Sequence, residues 1–296
     1  MAFRTVILSN PAHLQVQHSQ LVITTDESSV PIPLEDICVI GLEHPAISFS
    51  SGTLQRITEE GCVVIFSDGR HLPSAVLTPS FQHSRMSNRI ILQTSLSKPL
   101  KKQLWKRIVQ QKISNQSHVV FSSDSNENTA HLISSLVSQV LSGDSTNREG
   151  YAARLYFPAL FGAQFTRSDD SIINAGLNYG YAIVRSHICR SLAYHGFTPS
   201  MGINHKSELN MFNLADDIIE PFRPIVDAII LNKLITTDEK NLNSEIKRCI
   251  IENVIESTFT IRSQQYPLVA AVQQTVLSLL TAMTQEDPTL LQLPTM

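Results

Sequence analysis

The stretch GTLQRITEEGCVVIFSD, residues 52–68, joins a helical pattern to a strand pattern and indicates the fold of the region around it. Its first part, 52–61, has apolar residues at helical spacing and ends in Gly61, which is typical of a helix C-terminus. Its second part, CVVIFSD, is a short run rich in valine and isoleucine, as strands usually are. The stretch therefore predicts a short helix that is followed directly by a strand.

Strand patterns also occupy the rest of the first 80 residues. They are FRTVILS (3–9), LQVQHSQLVITT (14–25), ICVIGLE (37–43), AISFS (46–50) and SAVLT (74–78). Glycine, proline, asparagine and serine separate these runs, as they do at strand boundaries. We predict that residues 1–80 form a β-rich N-terminal domain with one short helix.

After Pro79 the pattern becomes helical, with apolar residues three and four apart, as at Leu132, Leu136 and Val140. We predict a linker at 81–97 and an all-helical domain at 98–285. Residues 286–296 contain two prolines and are predicted to be a flexible tail. The expected fold class is α+β, in which the β-rich domain precedes a larger all-α domain.

The charges of the chain are unevenly distributed. The net charge is −3, yet no acidic residue occurs from Arg70 to Ser123, where nine lysines and arginines lie. Such segregation predicts a polyanion-binding surface on an acidic body, although a solvated basic helix face would explain 98–112 equally well. The phosphate-binding candidates are Arg85, Arg89, Lys101, Lys102, Lys106, Arg107 and, outside this window, Arg148.

Cysteine usage and hydropathy exclude several classes of protein. The four cysteines are far apart in the sequence, which argues against a zinc site or a disulfide framework. The N-terminal residues lack the pattern of a signal peptide, and no apolar run reaches the roughly 18–20 residues of a membrane span. We expect a soluble, cytoplasmic protein that does not bind a membrane.

The stretch GINHKSELNMFNLADDIIEPFRP, 202–224, combines a histidine, several acids and two prolines. Helical spacing puts Asp216, Asp217 and Glu220 on one face, while Ile218, Phe222, Ile225 and Ile229 form an apolar stripe on the opposite face. Like charges at this spacing favour a nearby cation. Because a proline removes a helical hydrogen bond, Pro221 and Pro224 predict a bend that changes the direction of Glu220. A solvated surface helix with a bent end stays open as the alternative.

Glu149 and His205 are the other candidates for metal ligands. Glu149 could equally be structural, because Thr146 and Glu149 have the spacing of a capping box. Gly150, just inside the helix, favours a close approach to the backbone there. One imidazole nitrogen and the carboxylates of Glu149 and Glu220 would suit Mg²⁺ or Mn²⁺, and such a cation beside a basic surface suits phosphodiester chemistry. Sequence spacing alone leaves open whether the three residues meet.

Three segments closely resemble one known family. They are the start FRTVILSNPAHL, REGYAARLYFPALFG (148–162) and NYGYAIVRSHICRSLAYHGFTPSMGINHKSELNMFNLADDIIEPFRPIVD (178–227). In order and spacing, essentially the whole chain is similar to the CRISPR-associated spacer-acquisition integrase, the universal first Cas protein, and in particular to its type II subgroup. Two departures are Phe3, where tryptophan is usual, and the negative net charge.

The resemblance implies a helical catalytic domain and an N-terminal domain that serves dimerisation. It implies metal-binding and catalytic roles for Glu149, His205 and Glu220, and an accessory acidic role for Asp217. It also implies a homodimer, a heterohexamer with the second Cas protein, and double-stranded DNA as partner, both as captured fragment and as CRISPR repeat. Other type II acquisition proteins are further expected partners.

Three functions therefore stay open at the level of sequence. The first is a Mg²⁺- or Mn²⁺-dependent DNA endonuclease and integrase that inserts captured DNA at a CRISPR repeat by 3′-hydroxyl transesterification, with His205 as ligand or as acid and base. The second is an all-α metal-dependent nucleotide pyrophosphatase, which uses carboxylates three and four apart on helices. The third is a non-catalytic DNA-binding scaffold whose acids are helix caps and solvated side chains.

Overall fold

The computed structural model describes residues 4–67, 73–79, 86–123, 127–235, 237 and 239–296. Contacts between residues divide the chain into two units. The first comprises 1–87 together with 189–197, and the second comprises 88–188 together with 198–296. Each is described separately.

The first unit contains two four-stranded sheets and one α-helix. Its strands are β1 (Arg4–Leu8), β2 (His13–Gln17), β3 (Gln20–Thr24), β4 (Ser29–Pro33), β5 (Ile37–Leu42), β6 (Ser48–Phe49), β7 (Val63–Ser67) and β8 (Pro73–Leu77). The strand orders are β1-β5-β7-β8 and β4-β3-β2-β6. In the first sheet β1, β5 and β7 run parallel and β8 is antiparallel, while β2, β3 and β4 of the second are antiparallel.

Helix α1 (Ser51–Glu59) confirms the short helix predicted at residues 52–61. Its N-terminus is capped by Ser50, whose Oγ accepts a hydrogen bond from the Thr53 N–H at 3.1 Å. The chain leaves the helix through Gly61 at φ 79°, a left-handed conformation that favours glycine. Strand β7 follows directly, and the apolar faces of both elements join the core of this unit.

The second unit is mainly helical. Its helices are α2 (Met86–Ser95), α3 (Lys98–Ser122), α4 (Glu127–Leu136), α5 (Arg148–Phe161), α6 (Ile172–Tyr194), α7 (Asn213–Ile219), α8 (Arg223–Leu234), α9 (Ser244–Glu256) and α10 (Leu268–Thr284). The first two residues of α2 and the last six residues of α6 belong to the first unit. Helix α3 is central, because it packs against α4, α5, α7 and α8.

The α+β class is confirmed, but two details of residues 81–285 differ from expectation. An antiparallel hairpin, β9 (Thr258–Ile261) and β10 (Gln264–Pro267), interrupts the region predicted to be all-helical. The predicted linker 81–97 contains α2, and its residues 81–85 lie outside the described residues. Buried Gln93 of α2 accepts a hydrogen bond from the Thr198 N–H at 2.9 Å and donates to the Thr198 carbonyl.

The predicted flexible tail, 286–296, is docked onto the helical unit. Thr295 pairs with Thr260 of β9 through two hydrogen bonds of 2.9 Å, and Leu291 is only 1% exposed. The Asn115 amide donates to the Pro294 carbonyl at 2.9 Å, so the tail also contacts α3. The prediction of a flexible tail is therefore wrong, because buried contacts hold this segment.

Among the described residues, no helix is both long and apolar enough to cross a membrane. Cys38, Cys62 and Cys189 are buried, and Cys249 is half-buried. Buried cysteines of this kind pack as small apolar side chains.

Candidate active site

Glu149 is the second residue of α5, and other side chains cap that helix. Asn147 adopts φ 50° and accepts a hydrogen bond from the Gly150 N–H at 3.1 Å. The Asp144 carboxylate accepts from the first two amides of the helix at 2.8 and 3.0 Å. The alternative of a capping box between Thr146 and Glu149 is therefore excluded, because Asn147 and Asp144 already satisfy the amides of the first turn. The Glu149 carboxylate is left available for the site.

Gly150 is explained by the same cap. A Cβ atom at this position would lie 2.7 Å from Asn147 Oδ1, closer than such contacts occur. The close approach anticipated from the sequence is thus made by the Asn147 side chain, which caps the helix. The glycine lets Asn147 fold over the first turn and so places Glu149 next to α3.

Glu220 lies at an interruption between two α-helices. Helix α7 ends at Ile219, a 3₁₀ turn covers Glu220–Phe222, and α8 begins at Arg223. Two prolines, Pro221 and Pro224, remove backbone donors here, as predicted. The Asn115 side chain of α3 donates to the Pro221 carbonyl at 2.7 Å, which satisfies a buried acceptor in the interruption.

The acidic face predicted for this region is buried together with part of the predicted apolar stripe. Asp217, Glu220 and Asp227 are at most 4% exposed, whereas Ile225 and Ile229 are only half-buried. A buried carboxylate is stable only when cations or hydrogen-bond donors compensate for its desolvation. Each of these three acids has such partners, which the pattern of apolar residues does not reveal.

Lys112 of α3 joins the two carboxylates predicted to bind metal. Its Nζ lies 2.6 Å from Glu149 Oε1, with hydrogen-bond geometry, and 2.5 Å from Glu220 Oε2 as an ion pair. The two carboxylate oxygens are therefore no more than about 5 Å apart. Arg223 Nε lies 3.1 Å from the other oxygen, Glu220 Oε1.

The protonation states agree with this ion-pair cluster. Burial alone would raise the pKa of Glu220, but Lys112 and then Arg223 more than offset it and lower that pKa. Burial alone would lower the pKa of Lys112, but Glu220 and Glu149 more than offset it and raise that pKa. Glu220 and Lys112 therefore face each other as a buried carboxylate and an ammonium at neutral pH.

His205 is held by Asp217 in the loop before α7. Asp217 Oδ1 lies 2.8 Å from His205 Nδ1 and accepts from the His205 N–H, while Oδ2 accepts from the amides of Ile203 and Asn204. The hydrogen bond with Asp217 is the largest cause of a raised His205 pKa, and burial opposes it. Trp105 packs edge-on against the imidazole, with 5.7 Å between ring centroids.

Gly202 allows this loop to close around Asp217. A Cβ atom at this position would clash with the His205 carbonyl oxygen and lie 3.0 Å from Asp217 Oδ2. Asp217 is thus a positioning residue for His205, since its two oxygens hold both the loop backbone and the ring.

The predicted ligands share one region of the second unit. Lys112 joins Glu149 to Glu220, and the charge of Glu220 contributes to the raised pKa of His205. Within the described ranges, however, no three histidine, cysteine or carboxylate side chains are arranged closely enough to hold a metal ion directly. The residues are neighbours whose present contacts are with Lys112, Arg223 and Asp217.

A second buried cluster, formed by Tyr156, Tyr181 and Asp227, packs against Arg223. Tyr156 donates a hydrogen bond to Asp227 Oδ2 at 2.9 Å, and Tyr181 donates to Asp227 Oδ1. The Arg223 guanidinium lies over the Tyr181 ring, 4.6 Å from its centroid. Burial raises the pKa of Asp227 to about 6, although both tyrosine hydrogen bonds and Arg223 oppose this shift.

The raised pKa of Asp227 leads us to predict that the stability of the protein depends on pH. Because its folded pKa is about 6 and its ordinary value is 3.8, its contribution to stability is full below pH 3.8 and is lost as pH rises through about 6. The free energy of unfolding of wild type, minus that of Asp227→Asn, should fall by about 3 kcal/mol between pH 3.5 and 7. Urea unfolding at several pH values measures this difference. Parallel pH profiles for the two proteins would contradict it.

The basic candidates have different surroundings. Arg85 lies outside the described residues, and Arg89, Lys101, Lys106 and Arg148 are half-buried, whereas Lys102 is exposed. Arg107 donates from Nη2 to the Leu291 carbonyl at 3.1 Å, so it also holds the C-terminal segment. Lys112, counted in the acid-free window, belongs to the carboxylate cluster.

Sequence reasoning missed Lys112, Asp144 and the Tyr156–Asp227 pair as parts of this region. One signal could have shown Lys112, because it continues the buried stripe Leu104–Ile108 of α3 at helical spacing. A lysine on a core-facing stripe requires a buried anion.

Comparisons with known proteins agree with this architecture. The sequence profile of the family described as CRISPR associated protein Cas1 matches residues 5–260. The CRISPR-associated endonuclease Cas1 of Neisseria meningitidis serogroup C (strain 8013) is 38% identical over 297 residues, covering 99% of this chain and 96% of that protein.

Two solved structures are similar in fold. A casposase bound to integration product superposes with a TM-score of 0.77 at 16% identity, covering 96% of this chain and 91% of the casposase. A chain of a Cas6-RT-Cas1–Cas2 complex gives a TM-score of 0.78 at 20% identity, covering 98% of this chain and 36% of that one. The profile covers most of the sequence, and the curated relative covers nearly all of it. This chain belongs to the Cas1 family of CRISPR-associated proteins.

Proposed function

We propose that this protein is a metal-dependent DNA endonuclease and integrase that inserts captured DNA fragments as new spacers at a CRISPR repeat. The proposal rests mainly on two carboxylates, those of Glu149 and Glu220, which both contact the Lys112 ammonium. They share this region with a histidine whose ring is oriented by a hydrogen bond with an aspartate. A curated relative named an endonuclease and a structural neighbour bound to an integration product support the reaction class.

The donor set of the site fits a divalent cation. Glu149 and Glu220 already converge on a single positive charge, and Mg²⁺ and Mn²⁺ prefer carboxylate oxygens. Asp217 engages Nδ1 of His205, which is the arrangement that orients the other nitrogen of a metal-binding imidazole. We assign Glu149, His205 and Glu220 as ligands of Mg²⁺ or Mn²⁺, with Asp217 in an accessory role.

When bound, the cation would lower the pKa of an attacking hydroxyl and stabilise negative charge on the phosphate. The chain's own residues hold the reacting groups in place. Arg223 fixes Glu220, Lys112 balances both carboxylates, and Asp217 orients His205. His205 acts as a ligand or as an acid and base at the leaving oxygen, and both roles need the orientation that Asp217 imposes.

The proposed partners are double-stranded DNA, a second copy of the chain and the second Cas protein. The Cas6-RT-Cas1–Cas2 neighbour supports the last of these. Exposed Lys102 and half-buried Lys101, Lys106, Arg89 and Arg148 are the candidates for DNA contacts, together with Arg85 and Arg107. Dimerisation is assigned to the N-terminal β-rich domain, with a heterohexamer and other type II acquisition proteins as further partners.

One assay tests the reaction. The protein, together with the second Cas protein, is incubated with a labelled DNA fragment and a repeat-containing duplex in Mn²⁺, in Mg²⁺ or in EDTA. We expect joined strands only with the metals, because the carboxylates alone cannot neutralise the phosphate. DNA binding without any product in all lanes would contradict the proposal and favour a scaffold. A parallel reaction contains nucleoside triphosphates in place of DNA, and their hydrolysis without any joining of DNA would favour a pyrophosphatase.

A further inference from the structure

Lys112 occupies an unusual position for a lysine. It lies midway along the central helix α3, and its side chain is only 12% exposed. Its ammonium contacts Glu149 and Glu220, which come from two other elements of the fold. Lysine is rarely buried unless it is paired, and here its partners are the two carboxylates assigned to a divalent cation.

The charges of the cluster are balanced without a metal. Glu149 and Glu220 contribute two negative charges, and Lys112 and Arg223 contribute two positive ones. A divalent cation added to these four groups would give them two excess positive charges, of which the nearby Asp217 carboxylate beside His205 offsets only one. Lys112 and the cation are therefore electrostatic competitors for the same oxygens.

The phosphates of DNA change this balance. Each phosphodiester carries one negative charge, so a backbone held at the site compensates the excess that the metal and Lys112 create together. Metal binding and DNA binding then strengthen each other, and by thermodynamic linkage the coupling is the same in both directions.

We propose that Lys112 is a resident counter-ion that weakens divalent-metal binding in the DNA-free protein and so couples occupancy of the site to bound DNA. The proposal rests on the metal site assigned to Glu149 and Glu220 above. It makes Lys112 a positioning and regulatory residue that holds both carboxylates ready and limits metal binding until DNA is present.

The test is a Mn²⁺ titration of the full chain, read by the electron paramagnetic resonance signal of free Mn²⁺, with and without a short branched duplex. The variants are Lys112→Met, which keeps the length but removes the charge, and Lys112→Arg, which keeps the charge. Lys233→Met, at an exposed lysine of α8 that is not a candidate for DNA contacts, is the control. Glu220→Gln identifies the Mn²⁺ that is bound at the site.

Without DNA, Lys112→Met should bind Mn²⁺ at least about 10-fold more tightly than wild type, while Lys112→Arg and Lys233→Met match wild type. DNA should tighten Mn²⁺ binding about 10-fold or more in wild type and by a clearly smaller factor in Lys112→Met. Equal or weaker Mn²⁺ affinity in folded Lys112→Met would overturn the proposal.

Loss of Lys112 also removes a buried ion pair, so folding is measured by circular dichroism in parallel. If Lys112→Met unfolds without metal, Mn²⁺ should restore its folded spectrum, and failure to do so would also overturn the proposal. If Glu220→Gln binds as much Mn²⁺ as wild type does, both with and without DNA, the assigned metal site is refuted as well. If wild type does bind Mn²⁺ in a manner that depends on Glu220, but Lys112→Met does not bind it more tightly, only the inference about Lys112 is refuted.

Discussion

Strand joining by Glu220→Gln is expected to be at least about 100-fold slower than joining by wild type, with affinity for DNA within about threefold. Glutamine keeps the volume of the side chain but removes the charge that faces Lys112 and Arg223. A neutral amide is a poor ligand for Mn²⁺ or Mg²⁺, so the metal should be lost from the site. DNA affinity should persist, because it depends mainly on basic side chains that contact phosphates.

Glu208→Gln is the matched control for this variant. Glu208 is exposed and lies in the loop between His205 and α7, so the substitution removes an equal charge near the site. It should join strands at the wild-type rate. Time courses of labelled product at saturating Mn²⁺, with binding measured separately by gel shift, distinguish the two effects. Mn²⁺-dependent joining by Glu220→Gln at the wild-type rate would refute the role assigned to Glu220.

Asp217→Ala is expected to be the most destabilising substitution in the region, at about 3 kcal/mol or more. The Asp217 side chain is fully buried and accepts hydrogen bonds from three successive amides, those of Ile203, Asn204 and His205, as well as pairing with the His205 ring. Alanine would leave these donors without their charged acceptor. Urea unfolding at pH 7 measures the loss.

Asp216→Ala provides the comparison at the neighbouring position. Asp216 is half-buried, lies 3.6 Å from Arg185 and accepts a hydrogen bond from Asn210. Such a partly exposed ion pair contributes about 1 kcal/mol or less. Equal losses at 216 and 217 would contradict the positioning role of Asp217.

A further variant, Asp217→Asn, separates the positioning of His205 from general stability. The hydrogen bond with Asp217 raises the pKa of His205 above its ordinary value of 6.5. This contribution to stability is full below pH 6.5 and is lost as pH rises through the folded pKa. NMR titration of His205 should therefore show a lower pKa in Asp217→Asn than in wild type. A variant that merely loosened the fold would not shift this value selectively.

Local patterns were sufficient for most elements. Helix α1 has its periodicity, its Ser50 cap and Gly61 within a dozen residues, so the short helix could be predicted closely. Most strands of the first unit were likewise marked by β-branched runs between turn residues, but β4 (Ser29–Pro33), which contains two prolines, was not predicted. The interruption at Glu220 followed from Pro221 and Pro224, because proline removes a backbone donor wherever it stands.

Other local patterns gave the wrong answer where distant residues intervened. Thr146 and Glu149 have capping-box spacing, yet Asn147 and Asp144 cap α5. The C-terminal prolines suggested a loose tail, yet Thr260 and Asn115 hold that segment through contacts with residues far away in the sequence.

The fold class and the identity of the candidate ligands were thus accessible from the sequence, the ligands through a family resemblance. The partners of those ligands were decided by tertiary structure. Helical spacing cannot show that Lys112 of α3 lies between Glu149 and Glu220, because these residues come from widely separated segments. Burial decides the outcome, since a carboxylate removed from water requires a cation or donors, and only the packing of α3 against α5 and the 3₁₀ turn supplies them.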